Sequence, residues 1–171
     1  ERYYVLQAQF MERRDNNMTA AMQLVTEKAD QNPNWFGARL YLARNHTQLE
    51  QWEQAKQRFT EMLALQPENT PLYSSLGFVL SKTGDRKAAE QSFRKYLERT
   101  PLVDRQNETL IHLTMADMAI NDNDFAAAHN ILDKATNSKT DFDIQLKKSA
   151  VYEKQGKLQE ASRVLEQFKA L

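Results

Sequence analysis

The sequence predicts an all-α solenoid of about five antiparallel helix pairs, and three observations carry that expectation. Pro33, Pro67 and Pro101 lie 34 residues apart. Ala21, Ala55 and Ala89 repeat the same 34-residue step, and Val25, Phe59 and Phe93 follow them at a distance of four. Independent features sharing one period point to stacked units, each too small to bury its apolar face alone. Gly and Pro are scarce, four each in 171 residues, which favours long helices over a turn-rich β fold.

The units fall at about 2–35, 36–69, 70–103, 109–141 and 142–171, as a single array. The first carries Val5 and Ala8 on one helix, Ala21 and Val25 on the next, and Pro33 as its stop. The second repeats this with Leu42, Ala43, Ala55, Phe59 and Pro67. The third is the most regular. Leu72, Tyr73, Leu76, Val79 and Leu80 form an apolar stripe at helical spacing. Gly84 ends that helix, because glycine takes a left-handed cap without steric cost. Asp85 then caps the second helix, whose buried face is Ala88, Ala89, Phe93, Tyr96 and Leu97. Pro101 stops it, since proline lacks the donor and disfavours helix in the residue before it. Gly77 and Ala89 are small where the paired helices approach most closely, and a large side chain there would overpack the contact by roughly 1–3 kcal/mol.

The fourth unit carries Met115, Ala116, Phe125, Ala128, Leu132 and Ala135, with Thr140 where the earlier units have proline. The fifth carries Tyr152, Gly156, Ala161, Leu165 and Phe168, with Lys148 at a position that elsewhere is apolar. The alanine-to-alanine steps are 34, 34, 39 and 33, so about five extra residues, Asp104 to Glu108, enter before the fourth unit. "NDNDF" at 121–125 and "KQGKL" at 154–158 mark the turns within the last two pairs.

These residues resemble the tetratricopeptide repeat (TPR) family, a 34-residue helix–turn–helix unit with the pattern Trp-x2-Leu-Gly-x2-Tyr, then Gly, Ala, x3, Phe and Pro. Tyr73, Leu76, Gly77, Leu80, Gly84, Ala89, Phe93 and Pro101 match it best. The resemblance extends over nearly the whole chain, and it implies a right-handed superhelix whose first helices line a concave groove for peptides, protein tails or helices. It is poor in functional detail, because the defining residues are packing residues.

Composition removes several classes of function. Lys plus Arg is 23 and Asp plus Glu is 23, so the chain has no electrostatic footprint for nucleic acid or an anionic membrane. Absence of cysteine removes disulfides, thiol catalysis and cysteine zinc sites. No apolar run approaches the roughly 18–20 residues that span a bilayer. His46, His112 and His129 fall on different units with no i, i+4 pair, and read as solvated or capping residues. Asp117, Asp122 and Asp124 lack the spacing of a calcium loop. With no phosphate loop and no nucleophile elbow, the expectation is a non-enzymatic chain without cofactor or metal.

Projection of the first helices onto the groove selects candidate binding residues. The first helix contributes Tyr3, Leu6, Phe10 and Arg13; the third contributes Tyr41, Arg44 and Thr47. The fifth contributes Ser74, Phe78 and Lys82, the seventh Leu113 and Asp117, and the ninth Lys147 and Lys154. Phe10, Arg44, Phe78 and Asp117 occupy one position in successive units. Aromatic and Arg side chains are the usual anchors of protein interfaces, although Phe10 and Phe78 also suit packing between units. Some family members hold a chaperone's terminal carboxylate with Lys and Asn; Leu6, Phe10, Tyr41, Pro71 and Ser75 stand at the corresponding positions and do not match.

The expected function is therefore a scaffold or adaptor that holds a protein or peptide partner in its groove. The alternative is a structural module for self-assembly or intramolecular docking in a larger bacterial envelope or secretion protein. A start at Glu1 and the absence of clear capping helices suggest a fragment of a longer chain. The style of the repeats suggests a bacterial origin and leaves cytoplasm and periplasm open.

Overall fold

The computed structural model of the chain describes residues 1–101, 107–137 and 139–169. Among these residues the structure is all-helical. The helices are α1 (Arg2–Asp15), α2 (Met18–Gln31), α3 (Phe36–Gln48), α4 (Trp52–Leu65), α5 (Thr70–Thr83), α6 (Arg86–Arg99), α7 (Glu108–Asn121), α8 (Phe125–Asp133), α9 (Phe142–Lys154) and α10 (Leu158–Lys169). The chain divides into two compact units, Glu1–Ser92 and Phe93–Leu171.

In the first unit α1 packs on α2, α3 on α4, and α2 and α4 each bridge to the helix that follows. Ala21 and Ala55 are fully buried where the paired helices meet, with Val25 and Phe59 one turn beyond them. One core joins Ala8, Ala21, Val25, Ala29 and Leu42; a second joins Ala43, Ala55, Phe59, Met62, Leu72 and Val79. Gly77 is buried on α5, at the position expected to be small. In the second unit α7 packs on α8 and α9 on α10 around Ala116, Ile120, Ala128, Leu132, Ile144 and Val151.

Each paired turn contains one residue with positive φ: Asn16 (48°), Glu50 (56°), Gly84 (83°), Asn123 (59°) and Gly156 (74°). Their spacing follows the repeat. Glycine and asparagine tolerate the left-handed conformation, whereas Glu50 bears the steric cost of a Cβ beside the following carbonyl. Several helix starts are capped by side chains: Asn17 accepts from the Ala20 amide at 3.0 Å, Asp85 from Ala88 at 3.3 Å, and Asp124 from Ala127 at 2.9 Å.

One feature differs from the expectation. α8 stops after 9 residues at Asp133, whereas α2, α4 and α6 each run 14. The polar stretch after it turns on the Asn137 carbonyl, which accepts from Thr140 and Asp141, and Ala135 is buried outside the helix. Of the expected insertion Asp104 to Glu108, residues 104–106 lie outside the described residues, while Asn107 is the cap residue of α7 and Glu108 its first residue.

A polar network braces the first unit at the α2–α3 connection. The Arg39 guanidinium, nearly buried, pairs with Glu61 on α4 and donates from Nε to the Pro33 carbonyl at 2.9 Å. Arg58 also reaches Glu61 at 3.2 Å and Asp30 at 3.7 Å. Burial alone would raise the Glu61 pKa, but the Gln57 hydrogen bond and the charges of Arg58 and Arg39 outweigh it and hold the carboxyl below its ordinary 4.5. A depressed carboxyl stabilises the fold above its unfolded pKa, and that contribution disappears as pH falls through the folded value. The urea midpoint should therefore fall more steeply from pH 6 to pH 3 in the wild type than in Glu61→Gln; parallel profiles would contradict the network's role. Glu50→Gly should raise stability by about 1 kcal/mol in the same assay, by relief of the left-handed turn.

Candidate functional site

The first unit exposes a stripe along α1. Tyr3, Leu6 and Phe10 are 70%, 54% and 56% exposed, and Arg13 is exposed at the end of the same face. The spacing of these residues places them on one side of the helix, opposite the buried Ala8. The Arg14 guanidinium lies 5.0 Å from the centre of the Phe10 ring and also pairs with Asp15 at 2.5 Å. α3 packs beside α1 and presents Arg44, which is exposed and has no ion-pair partner among the described residues.

Tyr41 and Ser74 lie deeper than the other candidates. Tyr41 is buried, and its hydroxyl donates to the Glu12 carboxylate on α1. Burial first, and the Glu12 contact second, push the phenol well above its ordinary pKa of 10.0. Ser74 is buried and donates to the Pro71 carbonyl at 2.9 Å. Tyr41 therefore ties α3 to α1 and Ser74 bonds within α5, and both offer little surface to a ligand. Phe78 is half-buried, edge-on to Trp52 at 6.2 Å, with the Lys82 ammonium 5.3 Å from its ring centre. Thr47 donates back to the Ala43 carbonyl at 2.8 Å. The accessible face of this unit is apolar and cationic: Tyr3, Leu6 and Phe10 on α1, Arg44 on α3, and Phe78 with Lys82 on α5.

In the second unit the structure brings Asp117 of α7 to Lys147 of α9 at 2.8 Å. Leu113 is half-buried against the core of α7, α8 and α9, and Lys154 is exposed in the last turn of α9. Two exposed residues were missed, Leu110 on α7 and Leu146 on α9. The signal was present: the 33-residue step carried forward from Leu113 lands on Leu146. The other acidic residues serve the turn, with Asp124 capping α8 and Asp122 closing α7.

The histidines correct the expectation of solvated rings. His46 does bond at a helix end, to Gln51 at 2.7 Å. His112, however, is buried, with Nε2 3.7 Å from Glu108. His129 is half-buried against the Tyr152 ring, 4.3 Å between centres. Among the described residues no helix is long and apolar enough to cross a membrane.

The tetratricopeptide repeat family model matches residues 70–101, the unit whose glycines, alanine and phenylalanine are most regular. That unit is a tetratricopeptide repeat. Similar folds among solved structures agree. A crystal structure of MamA protein superposes with a TM-score of 0.80 at 14% identity, covering 97% of this chain and 88% of that one. MamA from residue 41 to its end, from Desulfovibrio magneticus RS-1, gives 0.78 at 14% identity, with 99% and 93% covered. YrrB, described as a TPR protein with an unusual peptide-binding site, gives 0.71 at 18% identity, with 96% and 82% covered. No curated protein matches the sequence significantly. Tetratricopeptide repeats are in general non-enzymatic protein–protein interaction modules.

The placement of Tyr41 is open to a direct check. Tyr41→Phe should cost about 1.5–3 kcal/mol in urea denaturation, the range for a hydrogen bond to a charged group. It should leave the helical circular dichroism of the folded state unchanged.

Proposed function

We propose that this protein binds a polypeptide segment on the exposed faces of its first helices. The observation that carries the reading is the α1 stripe, Tyr3, Leu6 and Phe10, flanked by exposed cations at Arg13 and Arg44. Scattered exposed apolar residues are ordinary on a soluble surface, but a contiguous row with basic neighbours suits an amphipathic partner bearing acidic groups. Phe78 with Lys82 extends the same chemistry to α5. In the second unit Leu110 and Leu146, beside the Asp117–Lys147 pair, offer a face of mixed charge. Tyr41 and Ser74 support the faces from beneath. YrrB's description as a peptide-binding TPR protein is consistent with this reading. No chemistry is required: docking on a preformed surface loses little conformational entropy on the protein's side.

The runner-up reading is self-assembly or docking onto a larger chain, and the same α1 stripe would serve it. Sedimentation velocity separates the two, since self-assembly makes size depend on concentration.

Peptides selected by display on the immobilised protein should share apolar residues with nearby acidic ones. Their affinity should fall at least ten-fold in the double variant Phe10→Ala/Arg44→Ala, with unchanged circular dichroism. Selected peptides that bind wild type and variant equally would remove this face from the function.

A further inference from the structure

The early end of α8 has a consequence in the second unit. A partly open cavity of about 470 Å³ lies where α8, α9 and α10 converge. Asp133, the last residue of α8, and Lys139 of the following loop form one wall. Lys148 and Tyr152, four apart on α9, form the second, and Gln167 and Phe168 of α10 form the third. The volume falls in the roughly 300–1,000 Å³ range of ligand sites.

Lys148 is the residue that breaks the repeat pattern, standing where earlier units have Leu42, Leu76 and Met115. Its side chain is only 12% exposed, and its ammonium reaches Asp133 at 2.6 Å. Asp133 itself is 68% exposed. A nearly buried ammonium has three donors, and among the described residues this single exposed carboxylate is its only ion-pair partner. Charged groups of such burial are retained when a partner or a function compensates them. The lining carries two lysines against one aspartate, together with aromatic surface from Tyr152 and Phe168. The neighbouring His129 registers the balance. Burial lowers its pKa first; Asp133 opposes this, and Lys148 and Lys157 add to the lowering.

We propose that this cavity is a second binding site, separate from the exposed first-helix faces, and that it receives a carboxylate side chain with an adjacent aromatic residue from an acidic polypeptide partner. The carboxylate would share the Lys148 ammonium with Asp133 and draw in Lys139, while the aromatic ring would lie against Tyr152 and Phe168.

The test uses the full chain, observed by amide and lysine NMR, titrated with an acetylated, amidated tetrapeptide of alternating Phe and Glu. Shift changes should cluster at Lys148, Tyr152 and Gln167. The same peptide with Gln for Glu should bind at least ten-fold more weakly. Lys148→Met should cost a similar factor. Val164→Phe, which fills the cavity and keeps every charge, should abolish the shifts, whereas Arg44→Ala should leave them intact. Equal binding of the Glu and Gln peptides would overturn the proposal, as would shifts centred on Phe10 and Arg44. Free glutamate binding as tightly as the peptide would overturn the polypeptide as the source of the carboxylate.

Discussion

The fold depends on the close approach of two helices at one small residue. Ala21, Ala55, Ala89, Ala128 and Ala161 are each almost or wholly inaccessible. None contributes much apolar area of its own. Each permits two backbones to come near enough for the flanking side chains, such as Val25, Phe59 and Leu132, to fill the space between them. The exposed faces follow from the same contact. A first helix that lays one side on its partner has its opposite side left for solvent, and Tyr3, Leu6 and Phe10 are what α1 places there.

Polar groups fix the angles that apolar packing leaves loose. Asp141 accepts from the Ile144 amide at 3.2 Å to cap α9, and its other oxygen accepts from Thr109 of α7 at 2.8 Å. Glu1 does the same for the first unit, its carboxylate accepting from the Ala38 amide at 2.9 Å at the start of α3. Trp35, the residue at that cap position, supplies no side-chain bond of its own. Carboxylates at helix starts also meet the positive end of the helix dipole. One side chain thus ends an orphaned row of amides and sets the spacing of successive first helices.

The packing residues were legible because a period is a redundant signal. Ala55, Phe59, Leu72 and Gly77 are buried where the 34-residue spacing put them, and Gly84 takes the left-handed turn expected of it. The same period applied to Gly84 marks Asn16, Glu50 and Asn123, which a search for glycine alone passes over. The surface was less legible. Helical projection assigns a direction to a residue but not a depth, so Tyr41 and Ser74 shared a face with Arg44 and Phe78 although they lie beneath it. The length of α8 was hidden for a different reason. Alanine at 135 continued the pattern, yet the helix ends at Asp133 and the chain then turns on the Asn137 carbonyl, which accepts from the Thr140 and Asp141 amides.

Both tryptophans belong to the first unit. Trp35 stacks on Tyr4 with 6.0 Å between rings, and Trp52 meets Phe78 edge-on. The second unit has Tyr152 against His129 and Phe142 against Phe168, but no indole. Indole emission excited at the red edge of the absorption band therefore follows residues 1–92 alone, whereas far-ultraviolet dichroism sums over every helix. Superimposable melting curves from the two signals would describe one cooperative block; separated curves would resolve the order in which its halves come apart.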